Sequence, residues 1–204
     1  MLILDLDDTI FDTSSINANL FDPAIALIKA HYAQNESDSI IADLWLLPVD
    51  VVFTKYDVPA SLISAFYTQI AQIDYRQLAI KTFADYPEIR KFSINKILVT
   101  TGLEELQRAK IRALGIESDF DAIYIDDPRN DPRKFKTDIF RQILLDTQKS
   151  PDQIWVIGDN PESEIKSGKK LGMRTIQRKA KNKHLSEYAD YQIESFAELP
   201  GIIN

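Results

Sequence analysis

The chain has 204 residues, 45% hydrophobic and 27% charged, a composition that builds an ordinary soluble core and excludes a wholly disordered chain. Acids outnumber bases 31 to 24, for a net charge of −7, the wrong sign for a general binder of nucleic acid or of an anionic membrane. The absence of cysteine removes disulfides, thiol catalysis and cysteine-held zinc or iron–sulfur clusters, and it fits a cytoplasmic protein. No run of 18 apolar residues occurs and acids stand by residue 5, so neither a membrane span nor a secretory leader is expected.

In chain order, the first apolar run is LILD (2–5), ending in DLDDT (5–9). Residues 13–87 then change texture. They contain no glycine and read as helical, with amphipathic stretches at 25–34, 39–47 and 60–73. From about residue 93 short apolar runs and helical stretches alternate. KILVTTG (96–102) precedes LEELQRAKIRALG (103–115), in which Gly115 suits a helix C-terminal cap. AIYIDD (122–127) precedes FKTDIFRQILLDTQ (135–148), with Ile139, Phe140, Ile143 and Leu144 on one side. IWVIGDN (154–160) precedes PESEIKSGKKLG (161–172), whose Pro and acids at the start and lysines and Gly at the end match the usual helix signals. MRTIQ (173–177) follows. Runs this short, rich in Ile, Leu and Val, suit strands buried on both faces of a parallel sheet. The fold expected is α/β: a Rossmann-like, doubly wound parallel sheet from 1–12 and 88–204, interrupted by an all-helical insertion over 13–87.

In an open sheet of this kind ligands bind beyond the C-terminal strand ends. The polar residues ending the apolar runs are Asp5, Asp7 and Thr9, then Thr100 and Thr101, then Lys134 after a long loop, then Asp159 and Asn160. Carboxylates suit a hard cation such as Mg²⁺. Hydroxyls, an amine and helix N-terminal amides suit a phosphate. Together they describe phosphoryl transfer. Asp126 and Asp127 can add to a metal site or simply form a surface turn. The eight Lys or Arg of 166–183 can steer an anion or form a solvated face. Trp45, Phe53, Tyr56, Phe66 and Tyr67 can line a ligand pocket or form helical core.

These motifs, in this order, resemble the haloacid dehalogenase superfamily of hydrolases. DLDDT (5–9) is similar to its first motif, ILVTTG (97–102) to the second, RKFKTDIF (133–140) to the third and VIGDNPESE (156–164) to the fourth. The ending 189–203 resembles the last strand and helix of many members. The resemblance implies that Asp5 is the nucleophile and Asp7 the general acid and base. It implies that Thr100, Thr101 and Lys134 hold phosphate. Mg²⁺ would sit on an Asp5 oxygen, the Asp7 backbone carbonyl, Asp159 and waters, with Thr9, Asn160 and Glu164 in support. It also implies that 13–87 is a cap over the crevice that chooses the substrate; Trp45, Lys55 and Tyr56, in an otherwise apolar segment, are the candidates for that choice. Two positions depart from the pattern. Glu164 stands where a second Asp is usual, and Phe135 replaces the usual Pro after the lysine, which leaves Lys134 and Lys136 competing for the third motif. An acid at position 7 favours a phosphatase or phosphomutase acting on a small phosphorylated metabolite. A phospho-acceptor signalling domain and a silent binding protein on the same fold are the readings from other classes.

Overall fold

The computed structural model describes residues 1–180 and 183–203. The strands are β1 (Leu2–Leu4), β2 (Lys96–Thr101), β3 (Ala122–Asp126), β4 (Trp155–Gly158), β5 (Arg174–Arg178) and β6 (Tyr191–Ile193). They form one sheet in the order β3-β2-β1-β4-β5-β6, with every pairing parallel. The expected doubly wound sheet is present, and β1 with β4 marks its switch point.

Alternate residues of each strand feed opposite faces. Leu2, Leu4, Leu98, Ile157 and Ile176 belong to one apolar cluster, and Ile3, Ile97, Val99 and Val156 to the other. Both faces are covered, which is why the strands read as continuous apolar runs.

The helices are α1 (Asp22–His31), α2 (Gln34–Leu44), α3 (Val49–Lys55), α4 (Ala60–Ala71), α5 (Pro87–Arg90), α6 (Glu104–Leu114), α7 (Lys136–Thr147) and α8 (Lys166–Lys170). Helix α6 ends where expected, with Gly115 in the left-handed region at φ 64°. Helix α3 lies in a stretch the periodicity leaves unassigned. Its three valines are poor helix formers, and burial of Val52 and Phe53 holds it in place. The first turns after β4 are wide: Pro161–Ile165 form a π-type turn before α8.

Helices α1–α4 gather around their own apolar cluster, which includes Ile28, Ile40, Val52, Phe53, Phe66 and Ile70. Leu103, just after β2, packs into that cluster from the sheet side. Ile16, Leu78 and Ile80 belong instead to the cluster under the sheet. The packing thus changes over between Ile16 and Ala24, and again between Ile70 and Leu78. The returning segment is pinned where the outgoing one leaves: Phe83 N–H donates to the Ile10 carbonyl at 2.8 Å, and Phe11 bridges Thr82. No helix among the described residues is long and apolar enough to cross a membrane.

Candidate active site

Asp5 follows β1 and Asp159 follows β4, which pair side by side. Their carboxylates meet a third, from Glu164, with one oxygen of each within 4.8 Å of the others. All three are buried. Glu164 reaches back from the wide turn after β4, where Oε1 accepts from the Asn160 backbone N–H at 2.6 Å. A Cβ on residue 158 would sit 2.3 Å from Glu164 Cγ, so the glycine of the GDN triplet makes room for this longer acid. Asn160 itself caps the turn, its side chain accepting from Glu162 N–H at 3.1 Å. Thr9 Oγ1 lies 3.5 Å from Asp159 Oδ1, a weak contact. Asp8 takes a left-handed backbone, φ 53°, which a short polar side chain tolerates, and accepts from Thr13 N–H and Oγ1 at 3.0 and 2.6 Å.

The lysine of the site is Lys136. Its Nζ donates to Asp5 Oδ1 at 2.7 Å and to Glu164 Oε2 at 2.8 Å. Lys134 is exposed, in the loop before α7. The expectation that Lys134 stands at the nucleophile is therefore corrected. The reason is helical phase: Lys136 opens α7 and shares its buried face with Ile139, Phe140 and Ile143. Burial alone would pull the Lys136 ammonium down, but Asp5 and Glu164 outweigh it and hold it charged. One ammonium does not balance three carboxylates. Burial, with Glu164 and Asp7 adding to it, pushes the Asp5 carboxyl up to about 7 against the pull of Lys136. Burial, then Glu164, Asp5 and Asp8, pushes the Asp159 carboxyl up to about 9.

The Asp7 side chain turns away from this cluster toward α6. Oδ1 accepts from Lys110 Nζ at 2.7 Å and Oδ2 from Gln107 Nε2 at 2.8 Å. The same Gln107 amide reaches Thr100 Oγ1 at 2.5 Å and the Thr101 carbonyl at 3.1 Å, while its own Oε1 is buried with no partner. Thr100 is fully buried, and Thr101 Oγ1 donates to Asp126 Oδ2 at 3.0 Å. Gln107 and Lys110 were not among the residues expected at the site. Their signal is positional: both occupy buried positions of an amphipathic helix, where an apolar residue is the default.

The sequence model of the haloacid dehalogenase-like hydrolases matches residues 2–178. The chain is a haloacid dehalogenase-like hydrolase. It is 25% identical to the glyceraldehyde 3-phosphate phosphatase of Methanocaldococcus jannaschii, over 99% of this chain and 96% of that protein. It is 22% identical to the human N-acylneuraminate-9-phosphatase, over 99% and 92%. The crystal structure of the HAD hydrolase YfnB from Bacillus subtilis bound to magnesium shares the fold, with a TM-score of 0.66 at 18% identity over 100% of this chain and 97% of that one. The chain is an enzyme of the phosphoric monoester hydrolase class.

In this hydrolase Asp126 ends β3 and Asp127 opens the expected turn, in which Asn130 N–H donates to the Asp127 carbonyl at 3.1 Å. Both are buried in ion pairs. Arg133 grips Asp126 with two nitrogens, at 2.6 and 3.0 Å, and Arg129 holds Asp127. The third nitrogen of Arg133 donates to Asp50 of α3, which ties the helical insertion to the loop before α7. Asp50 Oδ1 is buried with no partner. Lys55 and Tyr56 both bind Asp43, at 2.6 and 2.9 Å, and neither lines the crevice. Trp45 does. Phe53, Phe66 and Tyr67 meet edge to face within the helical core. In the basic run, Lys166, Lys169, Arg178 and Lys179 are paired with acids, and Lys181 lies outside the described residues. The crevice between sheet and insertion has a volume of about 880 Å³ and contains Asp5, Asp7, Thr101, Lys136, Asp159, Asn160 and Glu164.

Proposed function

We propose that this hydrolase is a Mg²⁺-dependent, cytoplasmic phosphatase that cleaves a small phosphorylated metabolite through a phosphoryl group carried on Asp5. The observation that carries the reading is the convergence of Asp5, Asp159, Glu164 and Lys136 beyond the ends of β1 and β4, with Asp7 beside them. Three buried carboxylates, only two of them paired with the one lysine, are an oxygen donor set with charge to spare, which fits a hard divalent cation. Asp5, Asp159 and Glu164, directly or through water, would hold Mg²⁺. Bound there, it neutralises the repulsion between nucleophile and phosphoryl group.

The residues of the chain then have separable tasks. An Asp5 oxygen attacks phosphorus, and the bond from phosphorus to the ester oxygen breaks. Asp7 gives its proton to the departing alkoxide, then takes one from the water that releases phosphate and restores Asp5. Lys136 orients Asp5 and Glu164. Of the two threonines expected to hold phosphate, Thr101 lines the crevice and is assigned to the non-bridging oxygens, while Thr100 is fully buried against Gln107 behind it. Residues 13–87 act as the cap that shields the attack from water.

The cation reading is tested without turnover. Carboxyls pushed up to about 7 and about 9 hold protons at pH 7. A cation favours their ionised form, so Mg²⁺ should bind with release of roughly one to two protons per ion. The release should fade as pH approaches 10, where the free site is already ionised. Calorimetry in buffers of different ionisation enthalpy reads this number. Binding that releases no proton at pH 7, or para-nitrophenyl phosphate turnover undiminished by EDTA, would count against the site.

Gln107 and Lys110 act by holding Asp7. Misplacing a reacting group by about 1 Å can cost about 10²-fold. Gln107→Leu and Lys110→Met should therefore slow an alkyl phosphate by up to about 10²-fold and para-nitrophenyl phosphate much less, since its leaving group needs little protonation. Equal losses on both esters would assign the two residues to the fold instead.

A further inference from the structure

Beyond the phosphoryl group, the crevice is divided by chemistry. Its polar side chains come from the sheet side and from Thr13 and the residues before it. Several of them are already engaged: Gln107 and Lys110 with Asp7, Arg133 with Asp126 and Asp50, Asp8 with Thr13. The helical insertion contributes a wall of another kind. Phe21, Leu44, Trp45, Leu46, Leu47 and Val51 represent it, and from residues 14–87 only the Trp45 indole N–H offers a side-chain hydrogen bond to the crevice among the described residues. This wall is not the sealed interior of the insertion. Trp45 is 41% exposed, edge-on to Phe21 with ring centroids 5.6 Å apart. Across the opening Phe135 is 55% exposed, under the Arg133 guanidinium at 4.5 Å.

A leaving group held here has its phosphate against Asp5 and Lys136 and its remainder against this wall. On this wall a polyhydroxylated remainder would lose water from its hydroxyls and find only the Trp45 indole N–H to replace it, the other polar side chains, Asn160, Ser163, Lys183 and His184 among them, belonging to the opposite side. An apolar remainder loses nothing and covers exposed aromatic and aliphatic surface. We infer that the substrate is a phosphate monoester whose leaving alcohol is apolar, an alkyl or aryl-alkyl group without hydroxyls. This rests on the phosphatase reading above and adds the class of alcohol.

The test compares esters of equal carbon number on the full-length, Mg²⁺-loaded protein: n-propyl phosphate against glycerol 3-phosphate, and n-hexyl phosphate against sorbitol 6-phosphate. Each methylene buried should raise kcat/KM about fourfold until the wall is covered. The hexyl ester should exceed sorbitol 6-phosphate by about 10²-fold or more. The polyol is the better leaving group, so leaving-group chemistry works against this result. Leu46→Asn with Leu47→Asn, at exposed positions, should cut the hexyl-to-sorbitol ratio by at least about tenfold, through KM.

A polyol ester hydrolysed as fast as its alkyl partner, or a ratio unmoved in the double variant, overturns the inference. Acetyl phosphate separates this failure from failure of the underlying reading. If it is hydrolysed while the paired esters are equal, only the class of alcohol is wrong. If neither it nor any ester is hydrolysed, the phosphatase reading fails and this inference falls with it. A chain that sediments as a dimer with Trp45 fluorescence shifted to the blue would give the wall to a second copy, and would also overturn it.

Discussion

Asp5→Asn is expected to abolish turnover and to leave the fold standing. The amide keeps the shape of the carboxylate but has no charge with which to attack phosphorus. Loss of a nucleophile of this kind costs on the order of 10⁴–10⁶-fold in kcat. Asp5 is buried with Asp159 and Glu164 against the single ammonium of Lys136. Neutralising one carboxylate relieves repulsion among those that remain. The thermal midpoint measured in EDTA should therefore hold or rise as activity disappears. A variant within about tenfold of the wild-type rate would remove Asp5 from the chemistry. Asp7→Asn should lose about 10²–10⁴-fold on an alkyl phosphate and less on para-nitrophenyl phosphate, because general acid catalysis matters in proportion to the basicity of the leaving group. The same loss on both, with chemistry rate-limiting, would refute the proton-transfer role.

The second large effect is on stability, at a residue remote from the reaction. Asp85 lies in the segment that returns from the helical insertion to the sheet. Its carboxylate accepts from Arg178 Nη1 and Nη2 at 3.0 and 3.2 Å, from Ser195 Oγ at 2.8 Å and from Phe196 N–H at 2.8 Å. Arg178 is nearly buried, between the rings of Phe83 and Phe196 at 4.3 and 4.4 Å. One carboxylate thus joins the return segment, β5 and the C-terminal turn. Asp85→Ala strands the guanidinium without a partner, at a cost of about 3–5 kcal/mol. For a chain of this size that lowers Tm by roughly 6–20 °C. Asp85→Asn, which keeps an acceptor, should lose less.

Burial pushes the Asp85 carboxyl up, but the hydrogen bonds from Arg178, Phe196 and Ser195 outweigh it and hold it below its ordinary value. Its contribution is therefore complete above the unfolded carboxyl value of about 3.9 and is lost as pH falls through the lower folded value. The gap between wild type and Asp85→Ala in urea titrations should stay constant from pH 7 to about 5 and close below about 4. A gap of less than about 1 kcal/mol at pH 7 would show that the junction is held by its rings alone.

Local chemistry in the sequence was enough for the sheet and its order of motifs. Apolar runs of a few residues rich in Ile, Leu and Val, alternating with amphipathic helical stretches, suit buried parallel strands, and ligand-bearing residues then gather at one edge by topology. Asp5 and Asp159 were legible for that reason, as were Gly115 at the end of α6 and the helical character of 13–87. Lys136, Gln107 and Lys110 were written in the sequence as polar residues on apolar helical stripes, but the stripe does not say what a buried lysine meets. Asp5 and Glu164 lie 131 and 28 residues from Lys136, and that meeting exists only once α7 is docked on the sheet.

Tertiary structure likewise decided that Glu164 reaches the cluster over Gly158, that Asp126 and Asp127 are spent on arginines, and that Lys55 and Tyr56 serve Asp43 while Trp45 faces the crevice. Most of the secondary structure follows from periodicity over a few neighbouring residues. The partner of a buried charge is chosen by packing between elements far apart in the chain: Lys136 opens α7 on its buried face, while Lys134, two residues earlier, stays exposed in the loop.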